Sequence, residues 1–343
     1  MRAARVHNYT EHKLRVEDVD EPEIQTPWDV IVRIGGAGVC RTDLHVLAGM
    51  WDFTSPGLPF VPGHENAGWV HAVGSAVTSV EVGDTVIAHS FVTCGLCRPC
   101  RRGDDVHCER AYNPGLSANG GFAEYMRTGE RAILKVDPSL QPRDIAGLTD
   151  AGLTAYHAVR RAAALLEPGH RAVAIGAGGL GLIGVQVLRA LTAAEVIVVE
   201  PREESRRLAA EVGAHHTVAA DGTQVEQVLA LTDGQGAEVV LDFVGEFGTP
   251  ADGIAMTRRA GSYFVVGYGG SLEVSTLEII AKELSIIGNA AGSYDDLADL
   301  LTLTAQGAVT LHTTPYSLEA VNDALDDLEQ GRIQGRAVLV PAA

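Results

Sequence analysis

The pattern of apolar and polar positions changes near Asp144. Before that point the chain carries short apolar runs separated by glycine and proline turns, and long helical patterns are absent. Runs of this kind predict β-strands, and examples are residues 30–34, 68–73 and 85–88. The first part of the chain is therefore predicted to be a β-rich, irregular domain.

Beyond Asp144, helical periodicity alternates with apolar runs typical of buried strands. The predicted helices cover residues 145–165, 180–191, 203–212 and 295–305, and the predicted strands cover residues 171–175, 195–199, 239–243, 262–266 and 337–340. Strands that alternate with helices imply a parallel sheet with right-handed crossovers. The class is therefore α/β.

Composition limits the partners. A chain of 343 residues has room for two domains, and its formal net charge is −18. Nucleic acids and anionic membranes are polyanions, so neither is expected to bind. Residues 172–188 look like a membrane span, but they hold five glycines and Gln186. No apolar signal segment stands within residues 1–20, so we expect a cytoplasmic protein.

A glycine pattern follows the predicted strand 171–175. It fits G-x-G-x-x-G through Gly176, Gly178, Gly179, Leu180 and Gly181, and it opens a predicted helix. The first glycine permits a tight turn, the second lets the backbone approach a pyrophosphate, and the third lets helix and strand pack closely. The free N–H groups of the helix N-terminus then face the phosphates.

An acidic residue, Glu200, ends the next predicted strand. A carboxylate there accepts hydrogen bonds from both ribose hydroxyls and repels the 2′-phosphate of NADP. The alternative is a solvated carboxylate at a strand end. Arg202 lies two residues further on and is able to tolerate a 2′-phosphate, but NAD is the expected cofactor.

Four of the five cysteines, Cys94, Cys97, Cys100 and Cys108, lie within fifteen positions. Thiolates at this spacing on tight turns converge tetrahedrally on one zinc ion, and four protein ligands leave no position for a substrate. A structural zinc is therefore expected. An iron–sulfur cluster uses the same ligands, and two disulfides are the other alternative, which a reducing compartment disfavours.

The fifth cysteine, Cys40, is one of three dispersed residues with ligand chemistry. His64 follows Gly63, and Asp150 precedes a helical run. One thiolate, one imidazole and one carboxylate are a ligand set of open, catalytic zinc sites. Each alone has an ordinary alternative: a small core residue, a core histidine or a helix cap.

These motifs together resemble the zinc-containing medium-chain alcohol dehydrogenases, and the match covers essentially the whole chain. The run from Gly63 through His64, Glu65, Gly68 and Gly74 to Val77 and the four-cysteine segment are its most specific parts. The run 148–156 is similar to bacterial members that act on secondary alcohols and ketones. The resemblance implies a GroES-like catalytic domain over residues 1–149, completed by 291–343, and a Rossmann coenzyme domain with a doubly wound parallel sheet over 150–290.

The resemblance also implies roles for individual residues. Cys40, His64 and Asp150 match the catalytic zinc ligands, although many relatives have a cysteine where this chain has Asp150. Glu65 matches a glutamate beside the metal, and Asp43 matches the carboxylate that orients the ligand histidine. Thr42 and His45 match a proton relay. The expected cofactor contacts beyond the glycine pattern, Glu200 and Arg202 are Arg41, Thr154, Arg336 and, at predicted strand ends, Phe243 and Val266.

The expected activity is reversible hydride transfer between an alcohol and NAD, with two zinc ions per chain. Within the same fold, polyols or sugars are alternative substrates, and an aldehyde route is an alternative reaction. A zinc-free quinone or enoyl reductase and a zinc-ribbon interaction module are the alternative classes of protein. The resemblance implies a homotetramer. Trp51, Phe53, Ser90, Phe91 and Tyr294 are candidates for the pocket lining, although each is equally an ordinary core residue.

Overall fold

The computed structural model describes residues 1–51 and 56–342, so Phe53 lies outside the described residues. The chain divides into two compact units. Unit 1 comprises Met1–Ala151, Ser293–Ala298 and Leu311–Ala343, and unit 2 comprises Gly152–Gly292 and Asp299–Thr310.

Strands and helices are numbered in chain order. The strands are β1 (Arg2–Arg5), β2 (Arg15–Asp18), β3 (Asp29–Val39), β4 (Glu65–Val73), β5 (Thr85–Ala88), β6 (Tyr125–Gly129), β7 (Ile133–Lys135), β8 (Arg171–Ile175), β9 (Glu195–Val199), β10 (His216–Val218), β11 (Ala237–Asp242), β12 (Thr257–Val265), β13 (Ser285–Gly288), β14 (Thr313–Ser317) and β15 (Arg336–Val340). The helices are α1 (Arg41–Leu47), α2 (Arg98–Arg101), α3 (Pro142–Ile145), α4 (Ala151–Ala163), α5 (Gly179–Leu191), α6 (Glu203–Glu211), α7 (Gln224–Leu231), α8 (Thr249–Met256), α9 (Thr276–Lys282), α10 (Tyr294–Ala305) and α11 (Val321–Glu329).

Unit 1 is built on a sheet in the order β14-β15-β3-β4-β5-β7, with β6 paired to β3. The pairs are antiparallel except for β14 with β15. Its core contains the buried side chains of Val32, Ile34, Val86, Phe122 and Leu339. The predicted β-rich first part is therefore present.

The long strand β3 extends further than its apolar pattern predicts. Glycines at positions 35, 36 and 38 interrupt the pattern, and the strand nevertheless runs to Val39. A Cβ atom at Gly35 would lie 2.6 Å from the ring of Trp69, and one at Gly38 would lie 1.9 Å from Glu65 Oε2. Close approach of neighbouring side chains explains glycine inside this strand.

The prediction of one continuous helix over residues 145–165 was wrong, because the structure has a break in this segment. A 3₁₀ turn covers Ala146–Thr149, and α4 begins at Ala151. Asp150 between them has φ −136° and ψ −61°. The Ala151 N–H donates to Glu65 Oε1 at 3.0 Å, and Thr149 Oγ1 accepts from the Asn66 N–H. These tertiary bonds displace the regular helical ladder.

Unit 2 contains a parallel sheet in the order β10-β9-β8-β11-β12-β13, as described between residues 152 and 292. The predicted strands 171–175 and 195–199 are β8 and β9. Apolar side chains of adjacent strands, such as Val173, Ile197 and Val240, are fully or almost fully buried in its core. The predicted α/β architecture is confirmed.

The apolar run 172–188 forms most of β8, a glycine turn and most of α5. Within the described part of the chain, no helix has both the length and the apolar content that a membrane crossing needs.

The close contact at Gly68 makes a stability prediction. Gly68 pairs with Ile34 across β3 and β4, and a Cβ atom there would lie 2.0 Å from the Arg33 carbonyl oxygen. Gly68→Ala is expected to lower the free energy of unfolding by about 1–3 kcal/mol, because backbone atoms must shift. Urea unfolding followed by circular dichroism measures the change.

The matched control is Gly288→Ala, at the end of β13, where an added Cβ atom meets nothing within 4 Å. This variant is expected to have wild-type stability. Equal losses in both variants would contradict the packing argument.

Candidate active site

Cys40 is placed by the junction of β3 and α1. It follows the last residue of β3 and is the N-cap of α1, with an extended backbone. Its N–H donates to Asp43 Oδ2 at 2.8 Å. This capping bond fixes where the helix begins, and it leaves the thiol side chain beside the start of β4.

His64 and Glu65 stand where β4 begins, and both are buried. Asp150 reaches them because its two neighbours are tied to the same strand: Thr149 bonds to the Asn66 N–H, and Ala151 donates to Glu65. Three separate segments of unit 1 thus converge, and Cys40, His64, Glu65 and Asp150 form what we call the donor cluster.

Ligand atoms of the donor cluster all lie within 4.8 Å of one another. His64 Nε2 is 3.5 Å from Asp150 Oδ2, and Cys40 Sγ is 3.9 Å from the same oxygen. Ligands bound tetrahedrally to zinc are about 3.3–3.8 Å apart, given bonds of about 2.0–2.3 Å. The thiol, imidazole and carboxylate therefore fit a zinc ion.

The electrostatics of the donor cluster favour a cation. Burial by itself would lower the pKa of His64, but the charge of Asp43 and the hydrogen bond with Asp150 raise that pKa well above its ordinary value. Burial would likewise raise the pKa of Asp150, but the hydrogen bond from His64 and its charge lower it. Positive charge is therefore favoured beside Asp43 and Asp150. A metal ion bound to His64 would supply that charge in place of a proton.

Asp43 faces the other side of the histidine. Its Oδ1 is 3.4 Å from His64 Nδ1, so Nε2 points toward Asp150. An imidazole that meets a carboxylate through one nitrogen presents the other to a metal in a fixed orientation. The structure therefore brings Asp43 next to His64, and its expected role as the orienting carboxylate stays a prediction.

Glu65 forms a bidentate ion pair with Arg336, the first residue of β15. Arg336 Nε donates to Glu65 Oε2 at 2.7 Å, and Nη2 donates to Oε1. Both side chains are buried. Burial raises the pKa of Glu65, an effect that the guanidinium of Arg336 opposes. The expected approach of Arg336 to a cofactor pyrophosphate stays a prediction.

Arg41, Thr42 and His45 lie on α1, directly after Cys40. His45 is buried, and Arg41 and Thr42 are half-buried. The helix places these residues within two turns of the thiol, and their expected roles stay predictions.

The four cysteines of residues 94–108, which we call the cysteine lobe, also converge, and their sulfur atoms all lie within 4.8 Å. Cys97 Sγ and Cys100 Sγ are 3.4 Å apart. All five cysteines of the sequence are described and free, so the disulfide alternative is not realised. Four thiols around one centre match a closed tetrahedral zinc site.

Backbone amides stabilise thiolates in the cysteine lobe. The N–H groups of Leu96 and Cys97 donate to Cys94 Sγ, each at 3.4 Å, and lower the pKa of Cys94 to about 5. Burial raises the pKa of Cys100 to about 12. A metal cation that binds the sulfur would displace this proton to solvent, because metal ligation stabilises the thiolate.

The glycine turn, residues 176–181, follows β8 and leads into α5 in unit 2. Gly176 has φ +92°, a region that favours glycine. A Cβ atom at Gly181 would lie 1.8 Å from the Gly176 carbonyl oxygen, whereas one at Gly178 would meet nothing within 4 Å. The open space at Gly178, at the N-cap of α5, fits a pyrophosphate.

Glu200 is buried at the end of β9 and reaches the glycine turn. Its Oε2 accepts from the Ala177 N–H at 2.8 Å, and its Oε1 accepts from Arg202 Nε at 2.9 Å. A carboxylate oxygen has more than one lone pair, so ribose hydroxyls can still donate to it. Arg202 is thus paired with Glu200, and its expected contact with a cofactor stays a prediction.

The other expected cofactor contacts have different surroundings. The ring of Phe243 packs against α5, where a Cβ atom at Gly184 would lie 2.5 Å from it. Val266 follows β12 and is buried, and Thr154 is buried in α4. Their contacts with a cofactor stay predictions.

Of the suggested pocket residues, Tyr294 has contacts in another part of unit 1. Its N–H donates to Asp105 Oδ1 at 3.0 Å, beside the cysteine lobe, and its hydroxyl donates to the Ile133 carbonyl oxygen. Ser90 is buried, and Trp51 and Phe91 are half-buried. These contacts place Tyr294 as an anchor for the start of α10.

Sequence reasoning missed two residues that interact with the donor cluster and the cysteine lobe. His89 is buried after β5, and its charge lowers the pKa of Asp150. Arg110 Nη2 donates to Cys94 Sγ at 3.4 Å. Arg110 stands two positions after Cys108, a weak local signal, whereas no spacing pattern connects His89 with Asp150.

Comparisons with known proteins agree with this geometry. Residues 26–138 match the family model described as alcohol dehydrogenase GroES-like domain, and residues 179–306 match the model described as zinc-binding dehydrogenase. An NAD-dependent alcohol dehydrogenase of Sulfolobus acidocaldarius is 34% identical, with 99% of both chains covered. A D-arabinose 1-dehydrogenase (NADP(+)) of Saccharolobus solfataricus is 36% identical, with 99% of this chain and 97% of that one covered.

Among solved structures, the crystal structure of the alcohol dehydrogenase from Aeropyrum pernix superimposes with a TM-score of 0.97. The two sequences are 45% identical, over 99% of this chain and 100% of that one. The chain belongs to the family of zinc-binding alcohol dehydrogenases with a GroES-like domain.

The buried ion pair of Glu65 and Arg336 leads to a stability prediction that can be tested without a bound ligand. Arg336→Met is expected to lower the free energy of unfolding by about 3–5 kcal/mol, because it leaves a buried carboxylate without its cation. Chemical unfolding of the NAD-free protein measures it.

The double variant Glu65→Gln/Arg336→Met is the control. It removes both charges, so its loss is expected to be smaller than the sum of the losses in Arg336→Met and in Glu65→Gln, each measured alone. Additive losses would show that the two side chains do not depend on each other.

Proposed function

We propose that the protein is an NAD-dependent zinc alcohol dehydrogenase, which reversibly converts a primary or secondary alcohol into an aldehyde or ketone. The observation that carries this proposal is the donor cluster, in which a thiol, an imidazole and a carboxylate converge within 4.8 Å. Family membership, and relatives named as NAD-dependent alcohol dehydrogenases, support the same reaction.

Cys40, His64 and Asp150 are the residues that hold the catalytic zinc ion, and three protein ligands leave one position for substrate. When bound, zinc supplies positive charge beside the substrate oxygen, and NAD supplies the acceptor of the hydride. Asp43 holds the His64 ring in its ligating orientation, and Arg336 holds the Glu65 carboxylate beside the cluster.

Thr42 and His45 carry the substrate proton in this proposal. Both lie on α1, whose start is fixed by the bond between Cys40 and Asp43. The Thr42 hydroxyl would receive the hydroxyl proton of the alcohol as it releases its own proton, and the His45 imidazole would take up the released proton and pass it toward solvent. In ketone reduction the same residues return the proton.

Unit 2 is the proposed coenzyme domain, and unit 1 the proposed catalytic domain. The glycine turn binds the pyrophosphate of NAD, and Glu200 binds the adenosine ribose. The cysteine lobe holds a second zinc ion, whose four thiolate ligands leave no open position, so its role is structural. Two zinc ions per chain follow.

Assembly and location are further parts of the proposal. Leu277 and Ile280 of α9 are 75% and 76% exposed, close in sequence to β13, which ends the parallel sheet. Exposed apolar side chains near a sheet edge support a homo-oligomer, for which we propose a tetramer. Five free cysteines support a reducing compartment, the cytoplasm.

A sugar or polyol is the second candidate substrate class. The relative named as a D-arabinose 1-dehydrogenase, 36% identical, supports it. A panel of primary, secondary and polyhydric alcohols with NAD and NADP, read at the absorbance of the reduced cofactor, separates the classes. The zinc-ribbon module predicts no turnover of any alcohol, and the zinc-free reductase predicts no metal at the donor cluster.

The reaction is tested by Cys40→Ser. This variant is expected to lose at least about a thousandfold in kcat/KM, because the zinc charge supplies several kcal/mol of the rate enhancement. Metal analysis is expected to fall from two zinc ions per chain to one.

Cys100→Ser is the matched control in the cysteine lobe. It is expected to lose the other zinc ion and thermal stability, while the zinc of the donor cluster remains. Full turnover by Cys40→Ser with one zinc ion lost would refute the proposed role of the donor cluster.

Cofactor choice is tested by Glu200→Ala. Removing hydrogen bonds to a charged group is expected to weaken NAD binding by about tenfold to a hundredfold. Discrimination against NADP is expected to relax, because the repulsion of its 2′-phosphate disappears. An unchanged ratio of the two dissociation constants would remove Glu200 from the ribose site.

A further inference from the structure

A fully buried carboxylate, Asp242, lies in unit 2 apart from the residues assigned above. It is the last residue of β11, and its side chain is 0% exposed. Its Oδ1 accepts from the N–H groups of Val244 and Gly245, each at 2.9 Å, and its Oδ2 accepts from the hydroxyls of Thr249 at 2.8 Å and Tyr263 at 2.7 Å. One acceptor-only group thus satisfies four neutral donors.

Two of these bonds fold the chain after β11 into a turn, residues 243–249, which we call the Asp242 turn. Thr249 is the first residue of α8, so its bond closes the turn at the far end. Without the carboxylate, the N–H groups of Val244 and Gly245 would lose their acceptor, which would destabilise this path of the backbone. Asp242 therefore determines the path of this turn.

The Asp242 turn packs on the glycine turn. A Cβ atom at Gly176 would lie 2.6 Å from Val244 Cγ2, and the ring of Phe243 lies against α5 at Gly184. Asp242 itself pairs with Ile175, the residue before Gly176. A displaced Asp242 turn would consequently move the side chains that support the glycine turn.

The turn after β12 is held to the same residue. The N–H groups of Val266 and Gly267 donate to the Asp242 carbonyl oxygen at 3.0 and 2.8 Å, and the Gly270 N–H donates to the Gly245 carbonyl oxygen at 2.8 Å. The carboxyl ends of β8, β11 and β12 are thereby linked through Asp242. This edge of an open parallel sheet is where ligands bind.

We propose that Asp242 is a positioning residue of the nucleotide site. It holds the Asp242 turn against the glycine turn in the geometry that NAD binding requires. This inference rests on the proposed NAD-dependent function. Asp242 acts through Val244, Gly245 and Thr249.

The hydroxyl donors of Thr249 and Tyr263 allow a discriminating test, because both bond to the same oxygen. Thr249 lies on the turn, whereas Tyr263 is fully buried in the core of unit 2. Asp242→Ala would leave several buried donors without an acceptor and is expected to fold poorly. Thr249→Val and Tyr263→Phe each remove one hydroxyl and keep the size of the side chain.

Fluorescence titration with NADH and calorimetric titration with NAD measure the dissociation constants. Thr249→Val is expected to raise the dissociation constant of NAD about fivefold to tenfold, as one charge-assisted hydrogen bond to the turn is lost. Zinc content is expected to be unchanged. Thr249→Ser, which keeps the hydroxyl, is expected to restore the wild-type value within about twofold.

Tyr263→Phe is the matched control for a purely structural role. It is expected to lower the thermal unfolding midpoint and to change the NAD dissociation constant by less than about twofold. The proposal is overturned if Thr249→Val binds NAD as the wild type does, or if Tyr263→Phe weakens NAD binding equally. A wild-type protein that does not bind NAD overturns the proposed function itself, and this inference with it.

Discussion

Unit 1 depends on the need of buried anions for a cation. A thiol, an imidazole and two carboxylates meet in the donor cluster, and two further charges, Asp43 and Arg336, lie directly behind them. Such groups are costly to bury unless each is paired. Arg336 neutralises Glu65, and the remaining groups are those that a zinc ion would neutralise. The chemistry proposed for the protein follows from these remaining groups.

Backbone hydrogen bonds hold the donor cluster in place. The Asn66 N–H donates to Thr149 and the Ala151 N–H donates to Glu65, and these two bonds tie the Asp150 segment to the start of β4. The Cys40 N–H donates to Asp43 within its own segment. A binding site needs such support, because a ligand moved by a fraction of an ångström loses its metal geometry. The bonds of Thr149 and Ala151 also interrupt the helix at Asp150, so this local irregularity and the site geometry have one cause.

The proposed nucleotide site of unit 2 depends on the close approach of backbone atoms at the glycine turn. The glycine turn leaves open space at Gly178 and none at Gly181, and Glu200 and the Asp242 turn border it. The aligned N–H groups at the start of α5 attract phosphate. Small residues at the turn and buried carboxylates at the strand ends thus produce one binding surface.

The amino-acid sequence by itself determined the features that depend on short spacing. The cysteine lobe, the glycine turn and the strands β8 and β9 follow from neighbours within a few residues, because turns and periodic burial are local properties. The three candidate ligands of the donor cluster were also found in the sequence, through their resemblance to a known family.

Tertiary structure alone decided the rest. Glu65 and Arg336 are 271 positions apart, and no spacing rule connects them. The helical pattern over residues 145–165 contains no signal for its break, since the bonds that break it come from β4. Asp242 lies at the end of a strand with no sequence signal of a special role. The N–H groups of Val244 and Gly245 are local donors, but the hydroxyls of Thr249 and Tyr263 reach Asp242 only when α8 and β12 pack beside β11. Long-range partners of buried polar groups are a property of the folded chain, because packing and not sequence distance brings donor and acceptor together.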